Sequence, residues 1–97
     1  MREETLSWLR GQRPIIHADL VEGKADRGTG GCHATFEATV PDDTTRSQFV
    51  PLATKIVAHL QSASTADSNL VDLKHGEQTT HLDRAAEPSE LPWLETR

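Results

Sequence analysis

A small α+β domain, with elements in the order α-β-β-α-β-β and an antiparallel sheet packed against one main amphipathic helix, is the fold this 97-residue sequence predicts. Three observations predict it. Phe49, Leu52, Ala53, Ile56, Val57 and Leu60 recur at helical spacing and form one continuous apolar stripe. Apolar and polar residues alternate from residue 32 to residue 40, the period of a half-buried strand. Residues 70–75 and 78–82 flank Gly76-Glu77, a connection of the length that closes a tight hairpin.

Taken in order, residues 2–11 read as a short helix. Glu3 and Glu4 sit in its first turn, where the helix dipole favours acids. Leu6 and Leu9 share a face, Gly11 suits the C-cap, and Pro14 prevents continuation. A hairpin follows. Ile16, Ala18 and Leu20 are apolar at one parity, as are Cys32, Ala34, Phe36, Ala38 and Val40. His33, Thr35, Glu37 and Thr39 take the other parity. Residues 22–31 between them hold four glycines and read as a loop. Ser47 is the candidate N-cap of the main helix, which places Pro51 in the first turn, where a missing N–H matters least. Residues 62–68 are a polar linker. In the second hairpin, Gly at the first central position suits a type II′ turn. That turn sets His75 opposite Gln78, Leu73 opposite Thr80 and Val71 opposite Leu82, so the apolar residues land on one face. The reading is one domain, residues 1–86, and a proline-containing arm, residues 87–97.

The core is poor in bulk, with two Phe, two Trp and no Tyr. Small domains bury a smaller share of their surface, so a homodimer is an expected state. The net charge is −5 and uneven: residues 64–97 hold seven acids against three bases, whereas residues 44–63 hold Arg46, Lys55 and His59 and no acid. Few bases disfavour nucleic acid as a partner, and the acidic sign suits a basic protein partner. The single cysteine excludes an internal disulfide and fits a reducing compartment. The acidic start has no apolar run behind it, unlike a secretory signal, and no stretch has the roughly 18 apolar residues of a membrane span. The expectation is a cytoplasmic chain without membrane contact. Scarce Lys, Ile and Asn beside common Thr, Ala, Asp and Arg resemble the usage of GC-rich bacteria or their phages.

Candidate chemistry is sparse. A phosphate loop of the Walker type needs Gly-x-x-x-x-Gly-Lys-Ser/Thr before a helix. Here Gly31 leads into a strand and Lys24 precedes the glycines, so no cofactor is expected. The polar parity of the first hairpin carries His17, Asp19, His33 and Glu37. One register sets His17 opposite Glu37, and another sets Asp19 opposite His33. Two His and a carboxylate can face a metal, and the same residues also suit a solvated sheet face. Cys32 shares the parity of Ala34 and Phe36, which makes it a core thiol rather than an activated nucleophile. His59 borders the apolar stripe as a surface residue, and His75 takes the apolar parity at a turn. Trp8 stands at the margin of the Leu6–Leu9 face, and Trp93 stands in the arm.

The order helix, long hairpin, helix over residues 3–63 resembles a double-stranded RNA-binding domain. That family opens its second helix with a basic Lys-Lys-x-x-Lys run. Here Ser47-Gln48-Phe49-Val50-Pro51-Leu52 has no lysine and a proline, so the resemblance covers the layout and not the phosphate grip. It implies an alternative function, a degenerate nucleic-acid module using Arg2, Arg10, Arg13, Lys24, Arg27, Arg46 and Lys55. A small metal-dependent enzyme using His17, His33 and a carboxylate is a further alternative. The function expected first is a non-enzymatic protein-binding module (inhibitor, immunity-type protein, phage antagonist or adaptor) that works by surface occlusion or bridging. Its contacts are Lys24, Asp26 and Arg27 of the glycine loop and Leu91, Trp93 and Leu94 of the arm, with no catalytic or metal site.

Overall fold

The computed structural model describes residues 2–25, 32–62 and 68–88. Along the chain these form α1 (Arg2–Arg10), β1 (His17–Ala25), β2 (Cys32–Val40), α2 (Arg46–Gln61), β3 (Ser68–His75) and β4 (Gln78–Leu82). The strands make one sheet in the order β1-β2-β3-β4. Both outer pairs are antiparallel, and the central pair β2–β3 is parallel. The sheet is therefore mixed, which corrects the antiparallel sheet expected from the sequence. The reason lies in the connection. A helix between two neighbouring strands returns the chain to the end where the first strand began, so α2 forces β3 to run alongside β2.

Alternation along the strands sorts side chains onto two faces. Ala18, Ala34, Phe36, Ala38, Val40, Val71, Leu73 and Leu82 are buried with Phe49, Leu52, Ala53, Ile56, Val57 and Leu60 of α2 and with Leu9 of α1. Both helices thus cover one face, and the Trp8 and His59 rings meet between them. Phe36 is the largest of the fully enclosed side chains, flanked along its strand by Ala34 and Ala38, whose small size lets the helices approach. Such a face contributes about 25 cal/mol per Å² of apolar area buried, and no other apolar layer exists among the described residues.

Three local expectations change. Helix α2 starts at Arg46 with Thr45 as N-cap, not Ser47, and Gln48 Oε1 accepts the Thr45 backbone N–H at 3.0 Å, one arm of a capping box. Pro51 therefore lies inside the helix, beyond its first turn. Residues 22–25, read as loop, extend β1, because a bulge between Leu20 and Glu22 lets pairing with β2 continue to Ala25 opposite Cys32. The second hairpin keeps the register read from the sequence: Val71 faces Leu82, Leu73 faces Thr80 and His75 faces Gln78. Gly76 has φ 61°, and no described non-glycine residue has positive φ. A positive angle at the first central residue alone is the signature of a type II′ turn. Gly76→Ala is expected to cost about 1–2 kcal/mol, because an L side chain is strained there. Urea unfolding would read it, with Glu77→Ala as a control expected near zero.

Candidate functional site

The sheet face turned away from the helices is polar. In one row across all four strands, Asp19 stands opposite Glu37, Glu37 beside Asp72, and Asp72 opposite His81. Three neighbouring carboxylates repel one another, and each has a basic side chain beside it. Arg10 lies 4.0 Å from Asp19, Lys74 lies 3.3 Å from Glu37, and the His81 ring contacts Asp72 at 2.5 Å. Exposed pairs of this kind contribute under about 1 kcal/mol each, so the row orders the face more than it stabilises the fold. This row is not readable from the sequence, because Glu37 and Asp72 become neighbours only through the parallel pairing.

Neither register considered for a His and carboxylate site occurs. His17 faces Thr39, Asp19 faces Glu37, and His33 faces Lys24. The strands pair over a longer stretch than the alternation alone fixes, and the bulge shifts His33 further along β1. His17 and His33 therefore sit near opposite ends of the β1–β2 hairpin. Among the described residues, no group of three or more His, Cys, Asp and Glu is placed to hold a metal ion.

The edge strand β1 is different in character. Ile16 just before it is 67% exposed and Val21 within it is 59% exposed, the large apolar side chains left in solvent among the described residues. Arg10 reaches across from α1 and donates Nε–H to the Ala18 carbonyl at 3.1 Å. It thereby occupies one backbone acceptor at the start of the strand and leaves the rest of the edge open. Arg10, Ile15, Ile16, His17 and Ala18 line a depression of about 200 Å³ beside it. A second depression, also about 200 Å³, is lined by Arg13, Pro14, Ser47, Gln48, Pro51, Leu52 and Lys55.

Two histidines that the sequence left at the margins take part in packing. His75 is buried, 3% exposed, with Nε2 3.0 Å from the Asp42 carbonyl oxygen and its ring tilted against Phe49. His59, expected at the surface, stacks on Trp8 with centroids 4.2 Å apart and rings 12° from parallel, and its Nε2 is 3.4 Å from Thr5 Oγ1. Trp8 is partly buried against the core. The spacing of His59 beside the stripe carried a signal, and what it lacked was the position of α1 above it. Burial lowers the His59 pKa below its ordinary 6.5, and the Glu4 carboxylate pulls it up by less. A histidine depressed in this way stabilises the fold fully above 6.5, and that contribution is lost as pH falls from there through the lowered folded value. Stability is thus expected to rise with pH across that window, by at most about 1.4 kcal/mol per pH unit. Urea titrations from pH 7.5 to 5 of the native chain and of His59→Gln would check it: the difference between the two should shrink on acidification.

Of the contacts expected from the sequence, Lys24 lies on β1 opposite His33 rather than in a loop. Asp26, Arg27, Leu91, Trp93 and Leu94 lie outside the described residues. Cys32 opens β2. No helix of the described residues is long and apolar enough to cross a membrane. No family model, curated protein or solved structure matches this chain.

Proposed function

We propose that this chain is a small protein-binding module without a chemical step of its own, acting as an inhibitor, immunity-type protein, antagonist or adaptor. The observation that carries the reading is the β1 edge, where Ile16 and Val21 stand exposed beside a depression that includes Arg10 and His17. An edge strand offers a row of backbone donors and acceptors to a partner strand, and exposed apolar side chains on it supply specificity. Lys24 continues that edge, and Asp26 and Arg27 follow it in the chain. These residues form the first contact. Leu91, Trp93 and Leu94 of the arm form the second, since Trp is prominent among residues that dominate binding energy. The acids of the last third steer a basic partner and make association sensitive to salt. A second copy of the chain is the alternative occupant of the same edge.

The test is a nuclease-treated capture from host extract with three baits: the native chain, Ile16→Lys/Val21→Lys, and Thr79→Lys on the polar face. One protein held in a fixed ratio by the native and Thr79→Lys baits, and lost from the edge variant, is the expected result. Equal recovery by all three would remove the edge from the interface. Trp93→Ala is expected to weaken the same complex tenfold or more without unfolding the domain, read by titration with the recovered partner. Nucleic acid recovered without a protein would replace this reading with the nucleic-acid alternative.

A further inference from the structure

The second depression lies apart from the β1 edge, and no residue lines both depressions. It sits between Arg13-Pro14, in the connection that leaves α1, and the N-terminal half of α2. Its charge is opposite to that of the chain. Residues 44–63 hold no acid in a protein of net charge −5, and two exposed cations line the depression, Arg13 from the connection and Lys55 from the helix. Other basic side chains are engaged: Arg10 and Lys74 lie beside carboxylates, and Arg84 donates to the Gln61 carbonyl. Among the described residues, Arg13 and Lys55 make no ion pair. An anion between them gains two attractions and displaces no partner. The rest of the lining is partly apolar, with Leu52 buried and Pro14 and Pro51 adding two rings. Pro51 also has no N–H, so the Ser47 carbonyl lacks the donor that an α-helix supplies from one turn on. Ser47 and Pro51 both line the depression. A cation pair, apolar surface and a backbone acceptor therefore coincide. The volume, about 200 Å³, is below the roughly 300–1,000 Å³ of sites that enclose small molecules. It suits a few side chains of a larger ligand.

We propose that this groove binds an extended acidic segment of a partner protein, one that offers a Glu or Asp carboxylate, a neighbouring apolar side chain and a free backbone N–H. The carboxylate sits between Arg13 and Lys55, the apolar side chain rests on Pro14 and Pro51, and the N–H donates to the Ser47 carbonyl. Each requirement removes an alternative. The two cations turn away a basic segment. A helical segment has used its N–H groups internally except in its first turn, whereas an extended one keeps them available. A nucleic-acid backbone satisfies the cations, but its phosphates and sugars carry no N–H for Ser47. The chain thus has two contact surfaces of different kinds, the β1 edge for a strand and this groove for an acidic segment, as a bridging adaptor requires. That consequence rests on the proposed function, and the groove itself does not.

The experiment uses the purified full chain and a synthetic peptide, acetyl-Glu-Leu-Glu-Leu-Glu-Leu-amide, with the backbone amide resonances of the chain as readout. Saturable shifts centred on Gln48, Leu52 and Lys55 are expected, with none of that size along β1. Replacing each Glu of the peptide by Gln should abolish them. Arg13→Glu/Lys55→Glu should weaken binding about tenfold or more, since two attractions become repulsions, and Arg13→Gln/Lys55→Gln should weaken it by less. Pro51→Ala gives the helix its own donor for the Ser47 carbonyl. It should weaken binding about two- to tenfold, the contribution of one hydrogen bond, while raising the urea midpoint of unfolding. A variant that binds less well and folds more stably separates the contact from the fold, and the resonances of the strands report that every variant remains folded. No saturable shift, or binding unchanged in the charge-reversed variant or in Pro51→Ala, would overturn the proposal. So would an oligothymidylate of equal charge that moves the same resonances with equal affinity, which would assign the groove to nucleic acid. Groove resonances that move on dilution of the chain alone would assign it to a second copy instead. Failure here leaves the β1-edge reading standing, and failure of that edge in the capture experiment leaves the groove standing.

Discussion

Phe36→Ala is expected to remove about 3–5 kcal/mol of folding stability. Phe36 is fully buried, on one of the two central strands, within the single apolar core. Its neighbours along β2 on that face are Ala34 and Ala38, which have no length to lean into the space that would be left. The strand backbone is held by pairing on both sides and cannot collapse inward. The site should therefore retain most of its cavity, and the cost should fall toward the upper end of the range. A domain of this size has about 5–15 kcal/mol in total, so a third or more of the stability is at stake, and the thermal midpoint should fall on the order of 20 °C. Urea unfolding of the variant measures it. A loss under 1 kcal/mol would mean that Phe36 is not at the centre of the core.

Leu9→Ala comes next, at about 2–4 kcal/mol, with a different pattern of loss. Helix α1 has nine residues, too few to be stable in water without packing. Leu9 is its fully buried anchor, with Trp8 stacked on His59 and Leu6 partly buried beside it. Removing the anchor should loosen α1 before the sheet loosens. Amide exchange in α1 is expected to speed up more than exchange in β2 and β3. An equal change in all three would show that α1 belongs to the same cooperative unit as the sheet. In either case the His59 ring becomes more exposed when α1 leaves, and its pKa should move back toward 6.5.

Local chemistry was readable and pairing between distant segments was not. The stripe from Phe49 to Leu60 marked α2 because a single helix reports its own buried face. The Gly76-Glu77 turn fixed a register because it joins adjacent strands through two residues. By contrast, the alternation in β1 and β2 left two registers open, and the strands take a third, His17 opposite Thr39, which the bulge between Leu20 and Glu22 then shifts by one residue. Nothing in β2 or β3 alone records that they lie side by side. The row Asp19, Glu37, Asp72, His81 was hidden for that reason, and the metal geometry sought at His17 and His33 dissolved with its register. Ser47, expected as the N-cap, gives way to Thr45, whose backbone N–H is accepted by Gln48 three residues later.

The parallel join at the middle of the sheet also dictates an order of assembly. Each hairpin can close from neighbouring residues, β3 and β4 through two residues alone. Phe36 and Val71 meet only across about 35 residues of intervening chain, and closing so long a loop costs entropy before any contact rewards it. Forming α2 shortens that loop, so the slow step in refolding should be the docking of two preformed hairpins around a nascent α2. Substitutions in α2 and at the β2–β3 seam would then slow folding. Substitutions in the Gly76-Glu77 turn, formed earlier, would do so in proportion to the stability they remove. The cuff of outer strands would be the first structure gained, and the centre of the sheet the last.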